Sequence, residues 1–335
     1  MKSVLPAIAA ALALSMTTPA HAGDGRAEQY RAAMEGARWT GPLLASNAET
    51  LPHGHFYTEP YFFDGISGGE HHPGTSGFYQ YGLTDNWTVG MQPFFSIGTQ
   101  RYNRDVAIGD FKLLSQVRVS HFTADHRVPS VALVTNLVLP TGKHDRLGAV
   151  KNGHGSGSFA PELGINVQQY FLFKNGRLLR GRINILRTFP LRSDVSGRSV
   201  YGTGPDFHGH ARPGSKTSLI VGAEYSLTRE WVLAFDVERD QWGRTDINGR
   251  DGSGAAVEIT SPKSWNIGFA PAVEYNWSDR AGAIVGVWIV PKGHNTRSSV
   301  TPAIAIQRFW WRHRHSKVGI DPHFRAKPGR ANRPA

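Results

Sequence analysis

The sequence predicts an all-β fold, a transmembrane antiparallel up-and-down β-barrel of about 12 strands. Three observations lead there. A dozen stretches alternate apolar and polar residues with a period of two, which marks strands with unlike faces. The connections between them alternate short and long. Aromatic residues gather near the ends of the stretches, as at the two interfaces of a membrane.

The chain opens as an export signal over residues 1–22. Lys2 is the positive region, Val4 to Met16 is apolar but too short to cross a bilayer, and Ala20-His21-Ala22 supplies the small-x-small cleavage pattern. No cysteine follows to carry a lipid anchor. Beyond it there is no apolar run of the roughly 20 residues that a membrane helix needs, whereas a barrel strand needs only about ten, half of them apolar. Residues 23–51 do not alternate. Ala27 to Ala37 suits a short helix, and Trp39-Thr40-Gly41-Pro42-Leu43-Leu44 is irregular. This stretch is expected as a periplasmic arm or as a plug inserted in the barrel.

The barrel is expected over residues 52–310. Its strands are His53–Phe63, Thr75–Leu83, Trp87–Gly98, Ala107–His121, Pro129–Thr141, Ser158–Leu172, Arg177–Pro190, Lys216–Leu227, Trp231–Trp242, Ser264–Trp277, Ala281–Lys292 and Ser298–Trp310. An even count leaves both ends on one side. Thr84-Asp85-Asn86, Phe173-Lys174-Asn175-Gly176, Thr228-Arg229-Glu230 and Ser278-Asp279-Arg280 are hairpin-sized turns, and Phe122 to Val128 is slightly longer. Gly142–Gly157, Leu191–Ser215 and Gly243–Lys263 are long and polar, and face outward in such barrels. Trp87, Trp231 and Trp277 mark an inner girdle; Phe63, Phe189, Trp242 and Trp265 mark an outer one. Pro60, Pro93, Pro161, Pro271 and Pro302 fall inside strands, where each should sit at a bulge or near an end.

Residues 311–335 read as a basic, disordered tail. From Arg308 to Ala335 there are eight Lys/Arg and one acid, Asp321, so +7 of the formal +11 lies there. With Lys2 removed, the mature body carries only +3. A basic tail on a near-neutral body argues against nucleic acid as a partner.

Strand parity sorts the side chains. If Leu179, Ile183 and Ile185 face lipid, then Arg180, Arg182 and Asn184 face the lumen; if Leu233, Phe235 and Val237 face lipid, then Asp236, Glu238 and Asp240 face the lumen. By the same rule Lys112, Gln116, Arg118, Glu162, Asn166, Gln168, Glu224 and Glu274 point inward. These fourteen residues are the candidate solute contacts. Arg180 and Arg182 share a strand, and Glu224, Asp236, Glu238 and Glu274 lie on the next three. Two readings stay open: a constriction whose transverse field orients solutes, or ion pairs that hold a narrow barrel together.

Several phrases resemble the outer-membrane transporters grouped as the MetA-pathway of phenol degradation family. They are Trp39-Thr40-Gly41-Pro42-Leu43, Leu51-Pro52-His53-Gly54-His55 with Glu59-Pro60-Tyr61, Gly109-Asp110-Phe111, Leu139-Pro140-Thr141-Gly142 and Gly155-Ser156-Gly157-Ser158. The resemblance spans roughly Trp39 to Trp310. It implies a membrane barrel passing aromatic or other small compounds, and it brings no catalytic motif. Barrels of this kind end on an aromatic residue that serves assembly. Phe309 and Trp310 suit that role, although the tail follows them.

His71-His72, His208-Gly209-His210 and His313-Arg314-His315 lack the ligand set of a metal site. Gly155-Ser156-Gly157-Ser158-Phe159-Ala160 leads into a strand, not a helix, so it is no dinucleotide fingerprint. The expectation is therefore an outer-membrane channel for passive passage of small solutes. It needs no cofactor, no catalytic residue and no metal. Its partners are the lipid bilayer, a small-molecule solute and the outer-membrane assembly machinery. The alternatives are a barrel enzyme acting at the rim and a structural barrel with a closed lumen.

Overall fold

A computed structural model describes residues 23–97, 106–125 and 127–310. The expected signal peptide (1–22) and basic tail (311–335), with His313-Arg314-His315, lie outside these residues.

Twelve antiparallel strands close into one barrel. Three of them, β1 (Phe56–Ser67), β2 (Glu70–Thr84) and a third made of β3 (Trp87–Gln92) and β4 (Phe94–Ile97), are followed by β5 (Val106–Ile108) and β6 (Phe111–Ser120) as the fourth. Next come β7 (Ser130–Leu139), β8 (Ala160–Leu172), β9 (Leu178–Thr188), β12 (Lys216–Ser226) and β13 (Trp231–Trp242). The last three are β16 (Ser264–Ser278), β17 (Ala281–Val290) and β18 (Ser299–Trp310). Each pairs with the next in the chain, and β18 pairs with β1, so no edge is left open.

Alternation along each strand separates two surfaces. Leu163, Ile165, Ile185, Leu233, Phe235, Phe269, Val273, Val285 and Ile304 are exposed on the outside. Their inward neighbours Glu162, Asn166, Asn184, Asp236, Ala272, Ile284 and Ala305 are buried. An exposed apolar band running round a closed barrel with polar groups inside is the inverse of a water-soluble surface. It is the arrangement of an outer-membrane barrel. Among the described residues no helix is long and apolar enough to cross a membrane.

Trp87, Trp231, Trp277 and Trp310 are exposed near the short-turn end, with Trp231 and Trp277 flanking Tyr275 at 4.7 and 6.3 Å between ring centroids. At the other end two expected girdle residues differ. Phe63 shares the inward parity of Tyr61 and packs on Phe94, so its neighbour Phe62 takes the outward place. Trp242 also has inward parity and carries Lys216 over its ring. Both follow the unbroken parity of their own strands, so a place near a strand end does not by itself put an aromatic ring on the outer face.

The prolines divide: Pro93 and Pro161 follow the expectation, and the other three do not. Pro93 divides β3 from β4, and Pro161 is the second residue of β8. Pro60, Pro271 and Pro302 lie within strands whose register does not shift there: Pro60 opposes Gly77, Pro271 opposes Phe235 and Pro302 opposes Val287. Each missing N–H interrupts the pairing on one side only, while the ladder on the other side stays continuous. The register shifts that do occur, at Gly82/Thr84, Arg118/Ser120 and Tyr275/Ser278, are all at the short-turn end.

The long connections are partly ordered. Leu191–Ser215 and Gly243–Lys263 build a four-stranded sheet from β10 (Ser193–Ser196), β11 (His208–Arg212), β14 (Thr245–Arg250) and β15 (Ala256–Ser261). Val195, Phe207, Ala211 and Ile247 are its core. The first outer connection is instead a two-residue turn, Gly68-Gly69, whose φ of +60° and +82° suits glycine.

Candidate functional site: a lumen threaded by the N-terminal segment

The helix α1 (Gly23–Glu35) buries Ala27, Tyr30 and Met34, a spacing that puts them on one helical face. Tyr30 and Met34 pack with Phe122, Tyr170 and Leu178 at the short-turn end of the barrel. Arg38 then binds Asp279 at 2.5 Å, and its N–H donates to the Arg229 carbonyl. From here the chain enters the lumen. It passes under Arg180, whose guanidinium lies 4.6 Å from the Trp39 ring centroid.

The segment has no secondary structure, so its backbone needs partners, and the barrel wall supplies them. Thr40 N–H donates to Glu274 at 2.6 Å. Leu44 and Ala45 N–H both donate to Asp236, at 3.0 and 3.3 Å. Arg182 donates to the Ala45 carbonyl at 2.7 Å. Asn184 makes a reciprocal pair with Ser46, at 2.7 and 3.0 Å. Asn166 reaches the Asn47 carbonyl and Gln116 the Glu49 carbonyl. The chain leaves through Leu51 N–H, which donates to Thr88, and turns into β1.

Eight of the fourteen candidates therefore contact the inserted segment: Gln116, Arg118, Asn166, Arg180, Arg182, Asn184, Asp236 and Glu274. Glu224 lies beneath them, fully buried. It forms a bidentate pair with Arg180 and meets Arg182 at 3.1 Å. Basic and acidic side chains that sit on different strands thus meet in pairs. Lys112 and Glu162 pair at 3.1 Å farther out, with Asn136 and Thr188 also donating to Glu162. Asp240 takes Lys216 and Ser218. Gln168 donates to the Tyr170 hydroxyl, and Glu238 lines the outer chamber.

Glu49 anchors the far end of the segment. It accepts from Arg118 at 2.5 Å, from His121 at 3.1 Å and from Ser130. Burial alone would raise its carboxyl. The hydrogen bonds from His121 and Ser130 and the charges of His121 and Arg118 outweigh that, and it titrates at about 2.

Small residues make room for the segment. A Cβ on Gly222 would come within 2.7 Å of the Ala45 Cβ, and one on Gly286 within 2.5 Å of a Leu43 methyl. Leu43 packs on Ala234, Ala272, Ile284 and Ala305. These positions carry inward parity but no polar group, a signal that something other than water fills the lumen there.

Two chambers remain. The outer one, about 1740 Å³, is lined by Phe63, Phe94, Tyr201 and Trp288 together with Lys112, Glu162 and Glu238. The inner one, about 610 Å³, follows the segment towards Arg229, Asp279 and Arg280 in the short turns. Leu43, Leu44, Ser46, Tyr61, Phe78, Leu114, Asn136 and Leu186 line both. The chambers thus share a largely apolar collar of wall residues, part of it contributed by the inserted segment. Parity assigns Tyr61, Phe78, Leu114 and Leu186 to the lumen, but a search for polar candidates passes over them.

The tempting histidines have local roles. His71 bonds Asp64 at 2.6 Å, and His208 and His210 are in β11. Among the described residues no group of three or more His, Cys, Asp or Glu is placed to hold a metal.

No protein-family model matches the sequence, and no curated protein is significantly similar to it. Among solved structures the chain is similar to the COG4313 outer membrane channel from Pseudomonas putida F1. The identity is 13%, over 81% of this chain and 100% of that one, with a TM-score of 0.54. Weaker likenesses are the NanC porin (11%, 74% and 98%, TM-score 0.44) and the P. putida toluene transporter TodX (14%, 82% and 95%, TM-score 0.40). At these identities the likeness is one of fold, and only the first is strong enough to carry that statement.

Proposed function

We propose that this chain is an outer-membrane channel that lets small solutes cross passively, and that the MetA-pathway resemblance is one of kinship. The observation that carries the reading is the pair of chambers that share the collar of Leu43, Leu44, Tyr61, Phe78, Leu114 and Leu186. A solute entering from outside meets Lys112, Glu162 and Glu238 among aromatic rings, then an apolar neck, then the polar inner chamber with Gln116, Asn166, Arg180 and Arg182. An apolar neck between polar chambers suits compact molecules with a ring or short aliphatic body and one polar group, phenolics among them. Glu224, Asp236 and Glu274 serve mainly to hold the neighbouring arginines and the inserted segment. No chemistry on the solute is required, and neither a cofactor nor nucleic acid has a part; Phe309 and Trp310 close the last strand for the assembly machinery.

A second reading, a structural barrel with a closed lumen, is favoured by the dense bonding of residues 40–51 to the wall. Swelling of liposomes containing the purified protein separates the two. With a panel of sugars, amino acids and phenolics, the channel reading expects swelling fastest for small phenolics and slowest for disaccharides. Absence of swelling with every solute establishes the closed barrel.

A further inference from the structure

The outward faces of the described barrel strands are almost free of charge, and the exceptions are informative. Three cations occur there. Arg308 is at the inner end, stacked over Trp310. The other two, Arg187 and Arg239, are at the outer end. Arg187 lies 5.3 Å from the Phe189 ring centroid and reaches Ser215 at 3.4 Å; Arg239 lies 5.7 Å from the Trp265 centroid. Both side chains are exposed. Among the described residues neither has a carboxylate within ion-pair distance. The acids of this region are engaged elsewhere: Asp240 with Lys216, Asp194 with Arg192.

Their placement is specific. Arg187 is on β9 and Arg239 on β13, with β12 between them. Thr217 opposes both Arg187 and Gln241, so Arg239 is one pleat, roughly 7 Å, farther from the rim, and the two strands are roughly 10 Å apart. Ile185 and Ile267, exposed and apolar, flank the pair. An uncompensated cation on the lipid face is unfavourable in hydrocarbon and tolerated at headgroup level. Two of them beside girdle aromatics and above an apolar surface match an anion that itself carries acyl chains. Two guanidinium groups suit phosphate oxygens through forked N–H donation.

From this we infer a lipid-binding site on the outer wall of the barrel, in which Arg187 and Arg239 clasp the phosphate of an outer-leaflet lipid while its chains lie along Ile185 and Ile267. The site is independent of what the lumen conducts.

The test uses the full mature chain in phosphatidylcholine nanodiscs doped with lipid A, released into the gas phase for native mass spectrometry. Wild-type protein is expected to retain lipid A. Arg187→Gln/Arg239→Gln is expected to retain at least about tenfold less, whereas Arg308→Gln at the inner end retains as much as wild type. Equal retention by the double variant overturns the proposal, as does equal loss in Arg308→Gln. A second reading needs no variant: dephosphorylated lipid A offered to the wild type should not be retained, and retention equal to that of the phosphorylated form overturns the site. Millimolar inorganic phosphate should not displace the lipid; displacement marks a simple anion site instead.

Discussion

Removing the carboxylate of Glu49 should release the inserted segment while leaving the barrel standing. Glu49 is the last carboxylate of the inserted segment before the chain turns into β1, and its side chain is 13% exposed. Its titration at about 2 instead of 4.5 measures how much Arg118, His121 and Ser130 favour the ionised form. The shift corresponds to roughly 3 kcal/mol. The pKa is depressed, so this stabilisation is present in full above pH 4.5 and is lost as the pH falls towards 2. In Glu49→Gln it is lost at every pH, which should raise the population of released segments by roughly two orders of magnitude. Ala48, fully buried beside it, is a suitable reporter, because the chain contains no cysteine and a single Ala48→Cys can be read cleanly. The assay is the rate at which a bulky, membrane-impermeant maleimide modifies Ala48→Cys with and without Glu49→Gln. A rate increase below about threefold would refute the idea that Glu49 latches the segment.

The ratio of the Ala48→Cys labelling rate in Glu49→Gln to that in the Glu49 background cancels the pH dependence of the thiolate itself and should be at least as large at pH 5 as at pH 8, since both lie above the window in which Glu49 titrates; a smaller ratio at pH 5 contradicts the assignment. Gly286→Val should unseat Leu43 and speed labelling of Ala48→Cys, at a cost of about 1–3 kcal/mol of overpacking, with heat-modifiable migration of the barrel retained. Arg180→Leu leaves Glu224 short of a partner and should lower stability by about 3–5 kcal/mol, read as earlier thermal unfolding in detergent; Arg180→Leu/Glu224→Leu should unfold later than the single variant. Nitroxides at Ile165 and Asn166 should report opposite surroundings, lipid-dissolved oxygen at the first and water-soluble relaxant at the second; identical accessibility argues against a membrane belt.

Much of this was legible because a strand's period of two is rigid. Once Leu163, Ile165 and Val167 define one face, Glu162, Asn166 and Gln168 are committed to the other, and twelve such assignments close a barrel. Parity holds to these strand ends, and it turns Phe63, in step with Tyr61, and Trp242, in step with Asp240, inward instead of into the outer girdle. The path of residues 36–55 carries no period at all. Its course is set by backbone N–H groups of Thr40, Leu44, Ala45 and Ser46 meeting Glu274, Asp236 and Asn184, partners more than a hundred residues away. The one local sign of it was the run of inward small residues, Gly222, Ala272, Gly282 and Gly286, whose missing volume the segment occupies. Pairing of Arg180 with Glu224 was equally hidden, since parity gives a face but not a depth; the register of β9 with β12 sets it.

Single-channel current across a planar bilayer tests the account most directly. Purified protein should give discrete current steps, and Phe78→Ala, which widens the collar without touching a charged group, should enlarge them. A silent bilayer with both proteins, each shown to be folded and inserted, would contradict a conducting lumen.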